Sequence, residues 1–186
     1  WSEKPWSYNK NSQKFKNKSS IDFLKQSKYF DKITIIKGEW DLDEDERNSC
    51  LNQAKKDGMD YLITQDADEF YMFDDYKKII NGIKKEPDYD FYTTPWIVFW
   101  KNYNYIIINK DGNKINGFPE IAINLNKDIK FVRCRRPNSK NCKQLDAICY
   151  HMCFVFDNDS DCWTKINTWS HSHQFNLLEW YNKYWL

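Results

Sequence analysis

The stretch YLITQDADEF, residues 61–70, determines how the rest of this sequence is interpreted. Residues 61–64 are a short apolar run of the kind that forms a buried strand, and Asp66 and Asp68 follow it directly. Side chains alternate between the faces of an extended segment, so we expect both carboxylates to project the same way while Ala67 faces the sheet. Two carboxylates about 4 Å apart repel by roughly 4 kcal/mol at an effective dielectric of 20, and a divalent cation removes that cost. The stretch therefore predicts a site for a metal-held diphosphate.

The D-x-D spacing by itself is not specific, because this sequence is rich in acidic residues. The same pattern occurs elsewhere, at Asp41/Asp43, Asp43/Asp45, Asp88/Asp90, Asp157/Asp159 and Asp159/Asp161. The last two pairs begin like a calcium-binding EF-hand loop, but Cys162 stands where that loop needs glycine and Thr168 where it needs glutamate. The copy at Asp66 directly follows a strand-like apolar segment, and this position is what indicates a metal site.

Four segments in a fixed order resemble glycosyltransferases with the GT-A fold. They are ITIIKGEW at residues 33–40, ERN at 46–48, YLITQDADEFY at 61–71, and YHMCFV at 150–155 followed by KINTWSH at 165–171. The first three are similar to the donor-binding half of family 2-like enzymes, in a layout also seen in the family 17 N-acetylglucosaminyltransferases. The last is similar to their carboxy-terminal part. The resemblance implies transfer of a sugar from a nucleotide-sugar donor to an acceptor hydroxyl, with inversion.

The same resemblance implies that the acidic pair binds Mn²⁺ or Mg²⁺. Asp68 would be a direct ligand, and Asp66 would contact the ribose or reach the metal through water. His151 would lie on a late strand that returns to the metal, where its nitrogen favours Mn²⁺ over Mg²⁺. The cation would stabilise the negative charge that develops on the leaving diphosphate. A solvated acidic turn and a structural histidine remain the alternative interpretations.

Further residues match donor-site and acceptor-site segments of these enzymes. Arg47 resembles a donor-site element, in which a guanidinium could pair with phosphate or orient Asp66. Trp96, Trp100 and Lys101 resemble the acceptor-side strand, where an indole could stack on a sugar ring. Core packing is the expected role for one of these two tryptophans.

The catalytic base of an inverting transfer must be a carboxylate within hydrogen-bond reach of the acceptor hydroxyl. Glu120 and Asp146 are the candidates in the second half of the chain. Glu69 is also close to the donor motif, but its side chain should point away from Asp68 if the strand continues.

Length and composition predict a single compact domain, since the chain has 186 residues and 41% hydrophobic content. Its 28 Lys+Arg and 27 Asp+Glu leave a net charge of +1, which argues against nucleic acid as the main partner. No apolar run approaches the roughly 20 residues needed to cross a bilayer, so no transmembrane segment is expected. The expected partners are the nucleotide-sugar donor and a glycan, protein or lipid-linked acceptor.

The six cysteines favour reduced thiols in a cytoplasmic compartment over disulfides in a secreted protein. Five of them crowd into the last third of the chain without a C-x-x-C pair. Cys149, His151 and Cys153 would share one face of a strand, as in part of a zinc site. Their Cα spacing of about 7 Å is too long for a tetrahedral site without other ligands.

The order of predicted elements is typical of an α/β fold, and the resemblance implies a GT-A-like three-layer α/β/α arrangement with a mixed, mainly parallel sheet. The donor half, 1–90, contains helices at 20–28, 43–57 and 74–85 and strands at 33–36 and 60–65; Asp43 caps the second helix, Gly58 ends it, and Pro87 ends the third. The acceptor half, 91–186, contains predicted strands at 91–94, 96–100, 103–109, 119–124, 129–133 and 148–156, a turn at 111–112, and helices at 159–169 and 175–185. Residues 1–20 are expected to be a loop. The family's first strand and helix are missing before it, which predicts an amino-terminally truncated fragment.

Two other functional classes stay open from the sequence. One is a carbohydrate- or protein-binding module built on a degenerate transferase fold, and the other is a nucleotidyltransferase, whose related fold also uses paired carboxylates.

Overall fold

Short strands and helices alternate through the computed structural model, which describes residues 21–168 and 176–186. The helices are α1 (Ile21–Leu24), α2 (Asp43–Lys56), α3 (Phe73–Lys85), α4 (Asp159–Thr168) and α5 (Leu177–Trp180), with a 3-10 turn at Phe30–Lys32 and a π-helical turn at Tyr181–Trp185. The strands are β1 (Tyr61–Ile63), β2 (Glu69–Phe70), β3 (Phe91–Thr93), β4 (Trp96–Ile106), β5 (Glu120–Asn124), β6 (Phe131–Arg133), β7 (Arg136–Pro137), β8 (Cys142–Gln144) and β9 (Cys149–Val155). The expected α/β class is confirmed.

The chain divides into two compact units. One consists of Trp1–Cys50 with Asn158–Leu186, and the other of Leu51–Asp157. The expected loop at 1–20 and the end of the KINTWSH segment, from Trp169 onward, lie outside the described residues. The single domain with donor and acceptor halves that meet at residue 90 stays a prediction.

In the first unit, the end of the chain packs on the start of α4. Asn158 caps this helix by accepting from the amide of Asp161 at 3.0 Å. Asp159 then accepts from Trp185 Nε1 at 2.8 Å, and its carbonyl accepts from the Tyr181 hydroxyl at 3.0 Å. The predicted last helix therefore occurs as α5 continued by a π-helical turn.

The larger unit contains a mixed four-stranded sheet in the order β1-β5-β3-β8. β5 is antiparallel to both β1 and β3, whereas β8 is parallel to β3. A three-stranded sheet, β2-β9-β4, also combines one antiparallel and one parallel pair. The mixed character is confirmed. The expected parallel majority is wrong for the described strands, because a single reversed strand inside a sheet makes both of its pairings antiparallel.

The four-stranded sheet contributes to two hydrophobic clusters, and neighbouring residues of one strand belong to different clusters. Tyr92 packs with Ile79 and Ile83 of α3, whereas Phe91 packs with Leu51 of α2. Adjacent side chains of a strand point to opposite faces, so apolar residues cover both faces of this sheet. The three-layer GT-A arrangement itself stays a prediction.

α2 ends in a Schellman motif, as the glycine in the sequence predicts. The amide of Gly58 donates to the carbonyl of Lys55 at 3.1 Å, and that of Met59 donates to Ala54 at 3.0 Å. Gly58 has φ 72°, a left-handed conformation that glycine adopts without steric cost.

The predicted strand at residues 33–36 does not form among the described residues. Ile33 is extended, with φ −100° and ψ 117°, but residues 33–40 belong to no regular element. β-branched residues favour an extended backbone, yet a strand also needs a neighbouring strand to which it can hydrogen-bond.

β4 combines the two strands predicted at 96–100 and 103–109. The amide of Ile107 donates to the carbonyl of Val98 at 2.8 Å, although nine residues of extended chain would separate these atoms by about 30 Å. The chain therefore reverses direction between them, near Lys101, whose φ of 61° is left-handed. The turn predicted at 111–112 also forms, with Gly112 donating to Asn109 at 2.9 Å.

Two further expectations concern the environment of the chain. Within residues 21–168 and 176–186, every helix is too short or too polar to cross a bilayer. None of the six cysteines, all of which lie in the described residues, forms a disulfide. The cytoplasmic location stays a prediction.

Two neighbouring isoleucines of α3 provide a test of this core. Ile79 is 0% exposed and Ile80 is 40% exposed. We expect Ile79→Ala to lower the free energy of unfolding by about 2–5 kcal/mol, because it removes buried methyl groups and leaves a cavity. Ile80→Ala should change it by less than about 1 kcal/mol. Urea denaturation measures both, and equal losses would contradict this packing.

Candidate functional site

The D-x-D segment forms a tight turn and not the extended end of a strand. β1 ends at Ile63, and the amide of Glu69 donates to the carbonyl of Asp66 at 3.0 Å across the turn. Ala67 is exposed and does not face a sheet. The expectation that Asp66 and Asp68 project together is therefore wrong, because the alternation of side chains holds only along an extended backbone. The two carboxylates have different partners.

Asp66 belongs to a charge cluster with Glu69 and Arg135. The guanidinium nitrogen NH2 of Arg135 lies 2.5 Å from Glu69 Oε2 and 3.0 Å from Asp66 Oδ2. Glu69 Oε2 also accepts from the backbone amide of Asp66 at 3.0 Å. Glu69 is 3% exposed and Arg135 is 7% exposed, so these charges interact away from bulk water.

The charges of this cluster hold Arg135 in its cationic form. Burial alone would lower the pKa of Arg135, but the carboxylates of Asp66 and Glu69 offset this, and the net shift is upward. A permanent cation therefore lies against Asp66. The repulsion that a metal ion was expected to relieve is, for Asp66, relieved by a guanidinium.

Asp68 lies beside His151, the histidine that the resemblance places near the acidic pair. Its Oδ1 is 3.5 Å from His151 Nε2, and its carbonyl accepts from the amide of Met152 at 2.7 Å. The antiparallel pairing of β2 with β9 places Glu69 opposite His151, which brings the turn to this strand. The Asp68 side chain is 30% exposed. Asp68 is therefore the residue of this turn whose carboxylate oxygen lies beside a histidine nitrogen.

Trp96 fixes the plane of the histidine ring. The two rings stack with their centroids 4.2 Å apart and their planes 10° apart. This contact follows from the parallel pairing of β4 with β9, which places Trp96 opposite Cys149 and Val98 opposite His151. The stacking of Trp96 on a sugar ring stays a prediction.

The Asp68 and His151 pair fits a divalent cation as two of its ligands. Two neighbouring ligands of an octahedral cation, each about 2.1 Å away, lie roughly 3 Å apart, close to the observed 3.5 Å. The nitrogen and oxygen donors suit Mn²⁺. Within the described residues, no three His, Cys, Asp or Glu side chains converge on one point. The remaining ligands of such a cation would have to come from groups other than these side chains.

Buried polar atoms with no hydrogen-bond partner mark the same region. Among the described residues they are Glu69 Oε1, Tyr71 OH, Thr94 Oγ1, Trp96 Nε1, Arg135 NH1 and His151 Nδ1. Four of the six belong to the turn, to its histidine partner or to side chains that contact them: Glu69, His151, Trp96 and Arg135. Buried polar groups in proteins are normally paired, and two of the six side chains, Tyr71 and Trp96, also interact with the thiol of Cys149.

Cys149 lies at the buried end of this region. Burial raises the pKa of its thiol to about 12, with the Tyr71 hydroxyl opposing the shift and the Glu69 carboxylate adding to it. Burial and the Cys149 thiol in turn raise the pKa of Tyr71 well above its ordinary value. Both groups are therefore neutral at physiological pH and act as packing residues.

The other predicted site residues are more dispersed. Trp100 packs against Phe154, with ring centroids 5.3 Å apart. Lys101 lies at the reversal of β4, and Asp146 is exposed in the loop between β8 and β9. Arg47 belongs to the first unit, where its Nε donates to Asp43 Oδ1 at 2.9 Å. α2 begins at Asp43, so Asp43 is the first residue of the helix and not its cap as predicted, and the carbonyl of Leu42 accepts from the amides of Asp45 and Glu46.

Glu120, one of the two base candidates, lies next to the segment that precedes the motif. The carbonyl of Glu120 accepts from Oγ1 of Thr64 at 3.1 Å, and Thr64 lies two residues before Asp66. Its Oε1 lies 3.9 Å from Arg136 Nε. Of the two base candidates, Glu120 is therefore the one on the strand that borders β1.

Sequence reasoning missed Arg135 as a site residue. The only local signal is the basic pair Arg135 and Arg136 after a short apolar segment, which is also typical of an exposed turn. Glu69 was expected to point away from Asp68, and the structure does direct its carboxylate elsewhere, to Arg135.

Alkylation of the native chain tests the neutral, buried state of Cys149. Cys149 is buried, and its raised pKa leaves little thiolate at pH 8. Cys142, in contrast, is exposed. We expect iodoacetamide to modify Cys142 at least about tenfold faster than Cys149, as measured by peptide mass spectrometry. In about 8 M urea, which unfolds most proteins, the two rates of modification should converge. Equal rates in the native chain would contradict the buried position.

Comparisons with known proteins do not extend the resemblance. No protein-family model matches the chain, and a search of the curated proteins finds no relative.

Proposed function

We propose that this chain is a metal-dependent glycosyltransferase that moves a sugar from a nucleotide-sugar donor to an acceptor hydroxyl, with inversion. The observation that carries the proposal is the meeting of Asp68 with His151 at 3.5 Å, after a strand that ends in an acidic turn. The mixed sheet with apolar residues on both faces supports a GT-A-like three-layer fold.

In this proposal Asp68 and His151 hold Mn²⁺ or Mg²⁺. The bound cation would supply positive charge next to the diphosphate leaving group. Trp96 keeps the imidazole plane fixed, so His151 Nε2 stays directed at the Asp68 carboxylate. Asp66, held against Arg135, would accept from a ribose hydroxyl.

Glu120 is the proposed general base. Its strand borders β1, and its carboxylate is partly exposed beside Arg136. A base must accept a proton from the acceptor hydroxyl, which requires a solvent-accessible carboxylate oxygen within hydrogen-bond reach. Asp146 remains the alternative base. The acceptor is a glycan, a protein or a lipid-linked molecule, and nucleic acid is not proposed as a partner.

The Asp68→Ala variant tests the proposed metal role. We expect sugar transfer to fall by about a hundredfold or more, because the cation loses an anionic ligand. Transfer is measured with a panel of nucleotide sugars, with and without Mn²⁺, and folding is checked by urea denaturation. Asp74→Ala is the matched control, since Asp74 is an exposed acid in α3 paired with Lys77 at 3.0 Å.

Retained transfer in Asp68→Ala would refute the metal role. Binding of the donor by the native chain without transfer or hydrolysis would identify a binding module. Release of pyrophosphate with formation of a nucleotide-linked product would identify a nucleotidyltransferase.

Substitution of His151 tests its place beside the cation. We expect His151→Asn to reduce the preference for Mn²⁺ over Mg²⁺, because the ligand set loses its imidazole nitrogen and gains an amide. The ratio of transfer rates with the two cations measures this preference. An unchanged ratio would exclude His151 from the coordination sphere.

A further inference from the structure

Arg135 occupies an unusual position for a buried cation. It lies in the two-residue connection between β6 and β7, whose first residue, Cys134, has φ 47°. Tight hairpin turns normally have glycine in this left-handed conformation, and they normally lie in solvent. Here the turn directs the guanidinium of Arg135 inward, and Arg135 is almost fully buried.

Both ion pairs of this guanidinium are made by a single nitrogen. NH2 lies 2.5 Å from Glu69 Oε2 and 3.0 Å from Asp66 Oδ2, the carboxylates at the two ends of the turn. The turn is also closed by the Glu69 amide donating to the Asp66 carbonyl. One positive charge thus draws together two negative charges that would otherwise repel.

The residue between these ends, Asp68, is held mainly by its neighbours. Its carbonyl accepts from the Met152 amide of β9, and its carboxylate faces His151. If the ends of the turn separated, both of these contacts would lose their alignment. The geometry of Asp68 therefore depends on the closure of the turn around it.

We propose that Arg135 is the positioning residue of the site: it closes the 66–69 turn so that the Asp68 carboxylate faces His151. Arg135 acts through Asp66 and Glu69, the two carboxylates with which it forms ion pairs. The role in cation binding rests on the proposed function, whereas the role in ordering the turn does not.

Binding of Mn²⁺ to the full chain tests the proposal, with free Mn²⁺ followed by electron paramagnetic resonance. We expect Arg135→Gln to weaken binding by about tenfold or more, as loss of an outer-shell partner does in other metal sites. Arg135→Lys should restore much of this loss, because a single nitrogen makes both contacts. Arg133→Gln, which removes an exposed arginine from the same hairpin, should leave binding unchanged.

Folding is controlled with a second variant. Arg135→Gln leaves the buried Glu69 carboxylate without its cation, so the single variant is compared with Glu69→Gln/Arg135→Gln, in which both charges are gone. Urea denaturation verifies that the double variant is folded. We expect its Mn²⁺ binding to be as weak as that of Arg135→Gln, and binding as tight as in the native chain would overturn the proposal.

Amide hydrogen exchange gives a readout that needs no cation. We expect the Met152 amide, which donates to Asp68, to exchange about tenfold faster in the double variant than in Arg133→Gln. If the native chain fails to bind Mn²⁺, the proposed function loses its metal, and exchange alone decides the role of Arg135. Equal exchange in the two variants would overturn that role.

Discussion

A single buried guanidinium organises the acidic turn. Removing an arginine and a glutamate from water costs several kcal/mol per ion, and only close contacts with opposite charge offset that cost. Arg135 and Glu69 meet at 2.5 Å with almost no exposed surface, and Asp66 completes the cluster. Because these charges compensate one another, the turn can place a further carboxylate, that of Asp68, at the surface beside His151.

The sheets determine which residues can reach the turn. β9 lies between β2 and β4, so one strand receives the acidic turn on one side and Trp96 on the other. His151, in the middle of β9, consequently contacts both. An indole packed against one face of an imidazole leaves the ring edge as its route to a ligand. Trp96 thus packs against His151, whose Nε2 forms a partly exposed pair with Asp68 Oδ1.

Local sequence signals predicted the elements that carry this site better than its contacts. α3 and β9 lie within one residue of their expected limits, since a strong helical pattern and a long apolar run are local properties. The pairing of Asp68 with His151 came from the resemblance of whole segments. The turn at Asp66 and its partner Arg135 could not be predicted, because a short acidic stretch has no local feature that distinguishes an extended backbone from a reversed one. The expected strand at 33–36 failed for a related reason, as strand formation depends on a partner far away in sequence.

The separation of these partners along the chain has a consequence for folding. Arg135 and Glu69 are 66 residues apart in sequence. β9, which pairs with β2 next to the turn, is synthesised only after the intervening strands. Contacts of such high sequence separation require closure of long loops and form slowly compared with helices. During synthesis, the acidic turn therefore stays exposed and without its counter-charge until the ribosome has synthesised both the β6–β7 hairpin and β9.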